Sequence, residues 1–92
     1  MQMCAWVSDG SPAQRANVTV YGRLYRAGSP VVGVAMHTTW HYKTTTPTED
    51  CTTGYDGIGR CTRNIGNASK GYRVRVDVTI SGYYAGTSFT PQ

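Results

Sequence analysis

The sequence predicts an all-β domain, a two-sheet antiparallel sandwich of about seven strands. Three observations carry that expectation. Apolar and polar residues alternate in short runs, most plainly over Asn17 to Tyr25 and Tyr72 to Ile80. Combinations of Gly, Pro, Ser, Asn and Asp punctuate the chain roughly every ten residues, the rhythm of strands joined by turns. No segment carries apolar residues at the three- and four-residue spacing of a helix.

Met1 to Arg15 reads as a leader of mixed character, in which Cys4 to Val7 is a short edge strand and Ser8-Asp9-Gly10-Ser11-Pro12 is turn chemistry. The domain proper is expected over residues 17–92, with residues 1–16 as leader or edge strand. Asn17 to Tyr25 is the first strand, with Val18, Val20, Gly22 and Leu24 facing the core and Thr19, Tyr21, Arg23 and Tyr25 facing solvent. Gly28-Ser29-Pro30 turns the chain into the run ending at Lys43. There Val34, Met36, Thr38, Trp40 and Tyr42 share one face, and Ala35, His37, Thr39, His41 and Lys43 the other. Thr and aromatic residues favour strand over helix in this run, and Trp40, a large apolar group near mid-chain, is expected at the centre of the core.

Thr44 to Thr53 is polar, contains Pro47 and shows no period, so it reads as a connection between strands or sheets. Asp56-Gly57 is a turn signal, followed by a strand over Ile58 to Ile65. After the loop at Asn67 to Gly71, Tyr72 to Ile80 alternates most cleanly, with Tyr72, Val74, Val76, Val78 and Ile80 inward. Ser81 to Gly86 is expected to be a hairpin connection, with Tyr83 and Tyr84 at its tip. Thr87 to Thr90 then closes the fold. The arrangement is that of an immunoglobulin-like sandwich.

A chain of 92 residues makes one domain with one modest core. Seven Arg and two Lys against five acids give a net charge of +4, but the charges are scattered, which points to solubility before any polyanion partner. No apolar stretch approaches the roughly 18 residues of a membrane span, so no membrane insertion is expected. No secretion-type leader is visible either, so an export signal would lie outside these residues.

Three cysteines are an odd number. Cys51 and Cys61 enclose a glycine-bearing loop that would bring two adjacent strands to disulfide distance, and a bridge there implies an oxidising compartment. The alternatives are two reduced structural thiols or, less favoured, a zinc site, for which the spacing lacks a C-x-x-C pair or a placed His. Cys4 is left free or partnered outside the chain.

No catalytic residues, metal site or cofactor are assigned. His37 and His41 share a strand face but stand about 13 Å apart in extended chain, too far for one ion. Glu49, Asp50 and Asp56 match no standard calcium loop and read as solvated turn acids. Neither lysine, Lys43 or Lys70, is placed for a self-formed isopeptide crosslink. Asn17-Val18-Thr19 and Asn67-Ala68-Ser69 fit the glycosylation acceptor pattern, a short pattern that arises often by chance. The candidate binding residues are two outward groups. Tyr21, Arg23 and Tyr25 together with Arg73 and Arg75 would form a basic aromatic face, and Tyr83 and Tyr84 would form an exposed aromatic tip. Ordinary solvation of a sheet face and hairpin packing account for the same residues without a ligand.

The succession Val18-Thr19-Val20, Gly28-Ser29-Pro30-Val31-Val32-Gly33-Val34, Asp56-Gly57-Ile58-Gly59 and Gly71-Tyr72-Arg73-Val74-Arg75-Val76 resembles bacterial Ig-like domains of the invasin/intimin type and the related transthyretin-like and carboxypeptidase-regulatory-like modules. The resemblance spans roughly Asn17 to Ile80 and is carried by turn glycines, a proline and core valines, so it speaks for fold more than function. It implies a non-catalytic, extracellular or cell-surface module, serving as a spacer, adhesion or assembly unit of a larger protein. Its partners would be other domains of that protein or copies of itself, with polysaccharide as a further partner and nucleic acid disfavoured. The competing reading is a carbohydrate-binding accessory domain of a secreted enzyme. For assembly, the strand-like ends at Cys4 to Val7 and Thr87 to Thr90 would either add to a neighbour's sheet edge or pair within their own domain.

Overall fold

A computed structural model describes residues 2–66 and 70–92; the second acceptor triplet, Asn67 to Ser69, lies outside the described residues. The described chain is all β, with eight strands in two antiparallel sheets that pack face to face. In order they are β1 (Gln2–Val7), β2 (Asn17–Arg26), β3 (Ser29–Pro30), β4 (Ala35–His41), β5 (Thr48–Thr52), β6 (Ile58–Asn64), β7 (Val74–Ile80) and β8 (Tyr83–Phe89). One sheet places β2 between β1 and β6, with the short β3 beside the end of β2. The other runs β5-β4-β7-β8.

The alternating pattern sets which faces meet. Val18, Val20 and Leu24 of β2, Met36, Thr38 and Trp40 of β4, Val74, Val76, Val78 and Ile80 of β7, and Phe89 of β8 are all buried between the sheets. Trp40 lies at the middle, edge-on to Phe89 at 5.8 Å and stacked with Tyr42 at 6.4 Å. Its indole Nε1 donates to Thr38 Oγ1 (2.9 Å), and that hydroxyl donates to the Glu49 carbonyl (2.8 Å), so the polar atoms of the buried pair are both satisfied. Opposite Met36, three small residues share one row across the facing sheet, Ala5, Gly22 and Gly59. A Cβ on Gly22 would lie 2.5 Å from Met36 Sδ, and one on Gly59 2.8 Å from the same atom. The two glycines form a slot for the thioether.

Three expectations need correction, and a fourth is borne out in a setting the sequence did not indicate. Thr44 to Thr53 is not an irregular connection but the second arm of a hairpin with β4. Backbone bonds from Trp40 to Pro47 and from Tyr42 to Thr45 lead into the β4–β5 ladder. Its inward positions are Glu49 and Cys51 rather than aliphatic residues, which removes the apolar alternation that marks other strands. Tyr72 stands outside β7, 39% exposed, because the strand begins two residues later at Val74. The β7–β8 connection is only Ser81-Gly82, with φ of 50° and 81°, the left-handed pair of a tight two-residue hairpin. Tyr83 and Tyr84 are therefore strand residues facing Ile80 and Thr79, not a loop tip. Lastly, the Cys51–Cys61 disulfide does form, with Cα atoms 5.7 Å apart, but it joins β5 of one sheet to β6 of the other.

The two long sides of the sandwich close differently. On the β5/β6 side the disulfide is followed two residues along each strand by an ion pair, Arg63 Nη1 to Glu49 Oε1 at 2.7 Å. Tyr42 lies against this pair, and burial holds its phenol above the ordinary range despite the neighbouring Arg63 charge. The Tyr42 hydroxyl and Arg63 Nε are both buried, and neither completes a hydrogen bond of good geometry. On the other side β1 packs against β8. There the chain after β1 runs alongside the chain after β8, with Thr90 N donating to Gly10 O (2.9 Å) and Gln92 N to Pro12 O (2.8 Å). Pro12 is buried by that pairing. Both strand-like ends thus pair inside their own domain, β1 with β2 and residues 87–89 with β7.

Candidate functional site

Each sheet turns one face outward, and the candidate binding residues are divided between them. Sequence period assigns Tyr21, Arg23, Arg73 and Arg75 correctly to solvent faces. It does not say which sheet a strand joins. β2 and β7 belong to different sheets, so Tyr21 and Arg23 lie on the opposite side of the molecule from Arg73 and Arg75, and the single basic aromatic face does not exist.

The outer face of the β1-β2-β6 sheet is built in rows across the strands. Trp6 of β1 stands opposite Tyr21 of β2, which stands opposite Arg60 of β6. The Trp6 and Tyr21 rings stack with centroids 5.4 Å apart and planes 14° from parallel. In the next row Cys4, Arg23 and Ile58 are neighbours, and Cys4 is exposed and unbridged. The Arg23 guanidinium sits 5.0 Å from the Tyr25 ring centroid, a cation–π arrangement. Arg60 is held by Asp56 at 2.9 Å, and this hydrogen bond keeps the Asp56 carboxyl below the usual carboxylate range. At the far end Thr19 and Thr62 hydroxyls bond across the strands at 2.8 Å. Trp6, 37% exposed, and Arg60 were not legible as members of this face, because the leader offers only six residues of weak alternation.

The outer face of the β5-β4-β7-β8 sheet is polar. His37 faces Asp50 across strands, Nδ1 to Oδ1 at 2.5 Å. A diagonal chain crosses three strands: His41 Nε2 lies 2.6 Å from Asp77 Oδ2, and the Tyr84 hydroxyl donates to Asp77 Oδ1 at 2.6 Å. The Tyr84 bond first, and then His41, hold the Asp77 carboxyl below its ordinary value. The same bond raises the Tyr84 phenol above its own. Tyr84 reaches Asp77 across Gly86, where a Cβ would come within 3.1 Å of the phenol oxygen. Beside this chain lies a shallow cleft of about 200 Å³, lined by Arg73, Arg75, Asp77, Tyr84, Gly86 and Ser88 among others. Arg73 Nε donates to Ser88 Oγ at 3.1 Å, and neither Arg73 nor Arg75 forms an ion pair among the described residues.

Of the three acids weighed for calcium, Glu49 and Asp50 lie on β5 and Asp56 in the turn before β6, and each answers a different base: Glu49 answers Arg63, Asp50 answers His37, and Asp56 answers Arg60. Among the described residues no three His, Cys, Asp or Glu side chains come together as a metal site. Asn17, in the first acceptor triplet, is exposed at the start of β2, its Oδ1 accepting from Asn64 Nδ2 at 3.2 Å. No family model, curated protein or solved structure matches the chain.

Proposed function

We propose that this chain is a non-catalytic immunoglobulin-like module of an extracellular or surface-displayed protein. It works as an adhesion or assembly unit and uses the outer face of the β1-β2-β6 sheet as its contact surface. The observation that carries the reading is the row Trp6-Tyr21-Arg60 with Arg23 over Tyr25 beside it. Trp, Tyr and Arg are the residue types that concentrate in the centres of protein contacts, where a few large groups hold most of the binding energy. The strand order supports the immunoglobulin-like part. Naming the strands A to G in chain order with β3 left out, A-B-E faces D-C-F-G, which matches the immunoglobulin neighbours except that the fourth strand edges the C sheet. The buried tryptophan on the third of these strands fits the same type. The disulfide is compatible with an oxidising, extracellular setting.

The test is adhesion of beads coated with the chain to one another and to immobilised extracellular-matrix proteins. A chain carrying Trp6→Ala and Arg23→Ala is expected to keep its melting temperature within a few degrees and to lose that adhesion. Adhesion undiminished by both substitutions would take the contact surface away from this face.

A further inference from the structure

We infer that the cleft on the other sheet is a second binding site, for an acidic saccharide. Its lining supplies what such a ligand needs, and the rest of the face does not. Arg73, the residue just before β7, and Arg75 of β7 both line the cleft. Among the described residues neither has the carboxylate partner that Arg60 and Arg63 have. The one acid in the cleft, Asp77, is already committed: one oxygen accepts from Tyr84 and the other faces His41. The unmet charge of the cleft is therefore positive. A guanidinium presents a planar fork that matches carboxylate or sulfate oxygens and discriminates them from neutral hydroxyls.

Shape adds the sugar. Gly86 lies beneath the Tyr84 phenol oxygen and lines the cleft with it, and the Tyr84 ring, 63% exposed, forms the wall with an accessible aromatic surface for the C–H face of a pyranose. Ser88, across from Arg75 on the neighbouring strand, places a hydroxyl for exchange with ring hydroxyls. The cleft is shallow and open, suited to one or two residues of a chain that continues past it on both sides. A flexible, uniformly charged polyanion would gain nothing from the Tyr84 wall. This inference rests on the reading of the chain as an extracellular binding module but uses residues on the opposite face, so the two fail separately.

The test is a titration of the full chain, followed by amide chemical shifts and by calorimetry. The probes are an oligogalacturonate, its methyl ester, a sulfated oligosaccharide of equal length, and inorganic polyphosphate. The oligogalacturonate or the sulfated sugar is expected to move the amides of residues 73–77 and 84–88, and the tighter of the two identifies the acid group. Affinity is expected to fall about tenfold with Arg75→Gln and with methyl esterification, each of which removes one charge-assisted contact. Gly86→Ala, which pushes the Tyr84 hydroxyl away from Asp77, should weaken binding without unfolding an edge strand, and Trp6→Ala should leave it unchanged. Equal binding of the methyl ester or of polyphosphate would overturn the inference. So would full affinity in Arg75→Gln, shifts on the Trp6 face, or no binding of any acidic sugar.

Discussion

Gly22→Ala tests the packing of the sandwich at its tightest point. The added methyl would lie 2.5 Å from Met36 Sδ, 2.9 Å from Val78 Cγ1 and 3.3 Å from Ile80 Cδ1. Ordinary contact between such atoms is about 3.5–4 Å, so the thioether must move by about 1 Å or more. Its escape is limited, because Gly59 offers the other wall of the same slot and the Met36 side chain is wholly buried. Overpacking of this kind costs about 1–3 kcal/mol. Relief of glycine's unfolded-state entropy returns about 0.5–1 kcal/mol. The net loss falls between about 0 and 2.5 kcal/mol, centred on about 1 kcal/mol, which for a domain of this size lowers Tm by about 4–8 °C per kcal/mol. The decisive assay is a double-mutant cycle in urea. Met36→Val alone leaves a cavity, but in the Gly22→Ala background it makes the room the methyl needs, so the pair should be less destabilised than the sum by about 1 kcal/mol. Additive effects would show that the two residues do not share the slot, and the account of how the sheets interlock would be wrong.

Other expectations follow from the same contacts. Trp40→Ala, which empties the centre of the core, should cost about 3–5 kcal/mol, and a variant melting within a few degrees of the parent would refute the central role. Reducing the disulfide frees a loop whose cysteines are 10 residues apart and should cost about 2–3 kcal/mol; unchanged urea midpoints with and without reductant would contradict that. The Asp77–Tyr84 bond gives a pH signature. Asp77 is depressed in the fold, so its contribution is present above the free carboxyl value near pH 4 and is lost as the pH falls below it. Tyr84 is raised, so its contribution is full below about pH 10 and is lost as the pH rises beyond. The Tm gap between the parent and Tyr84→Phe should therefore narrow at both extremes, and a gap constant from pH 3 to 11 would be evidence against the bond.

The parts of the fold visible in the sequence are those where burial and alternation coincide. β2 and β7 put an aliphatic residue at almost every inward position, so both their existence and their register could be read. The face of β4 was legible for the same reason, with Met36, Thr38 and Trp40 inward. β5 was hidden because its inward side chains are a glutamate and a cysteine, satisfied by Arg63 and Cys61 on a strand that lies beside it only after folding. Tyr83 and Tyr84 were misplaced because a Ser-Gly pair can turn the chain in two residues if the serine accepts a left-handed φ, which composition does not announce. The candidate surfaces were legible strand by strand but not as faces. Period two fixes the side of each residue within its strand, whereas Trp6 joins Tyr21, and Arg73 parts from Arg23, through pairings between strands distant in sequence.

The disulfide also bears on how quickly the molecule can assemble. Most contacts in a sandwich join residues far apart along the chain, and closing such loops before any reward is what makes these folds slow. The Cys51–Cys61 link is an exception, because it fastens one sheet to the other across a separation of only 10 residues. Once oxidised, even an otherwise open chain keeps the edges of its two future sheets side by side, with Glu49 and Arg63 positioned to meet next. The search for the right face-to-face alignment then starts from a fixed corner, so refolding of the oxidised chain should outpace that of the reduced one by lowering the entropy of the search.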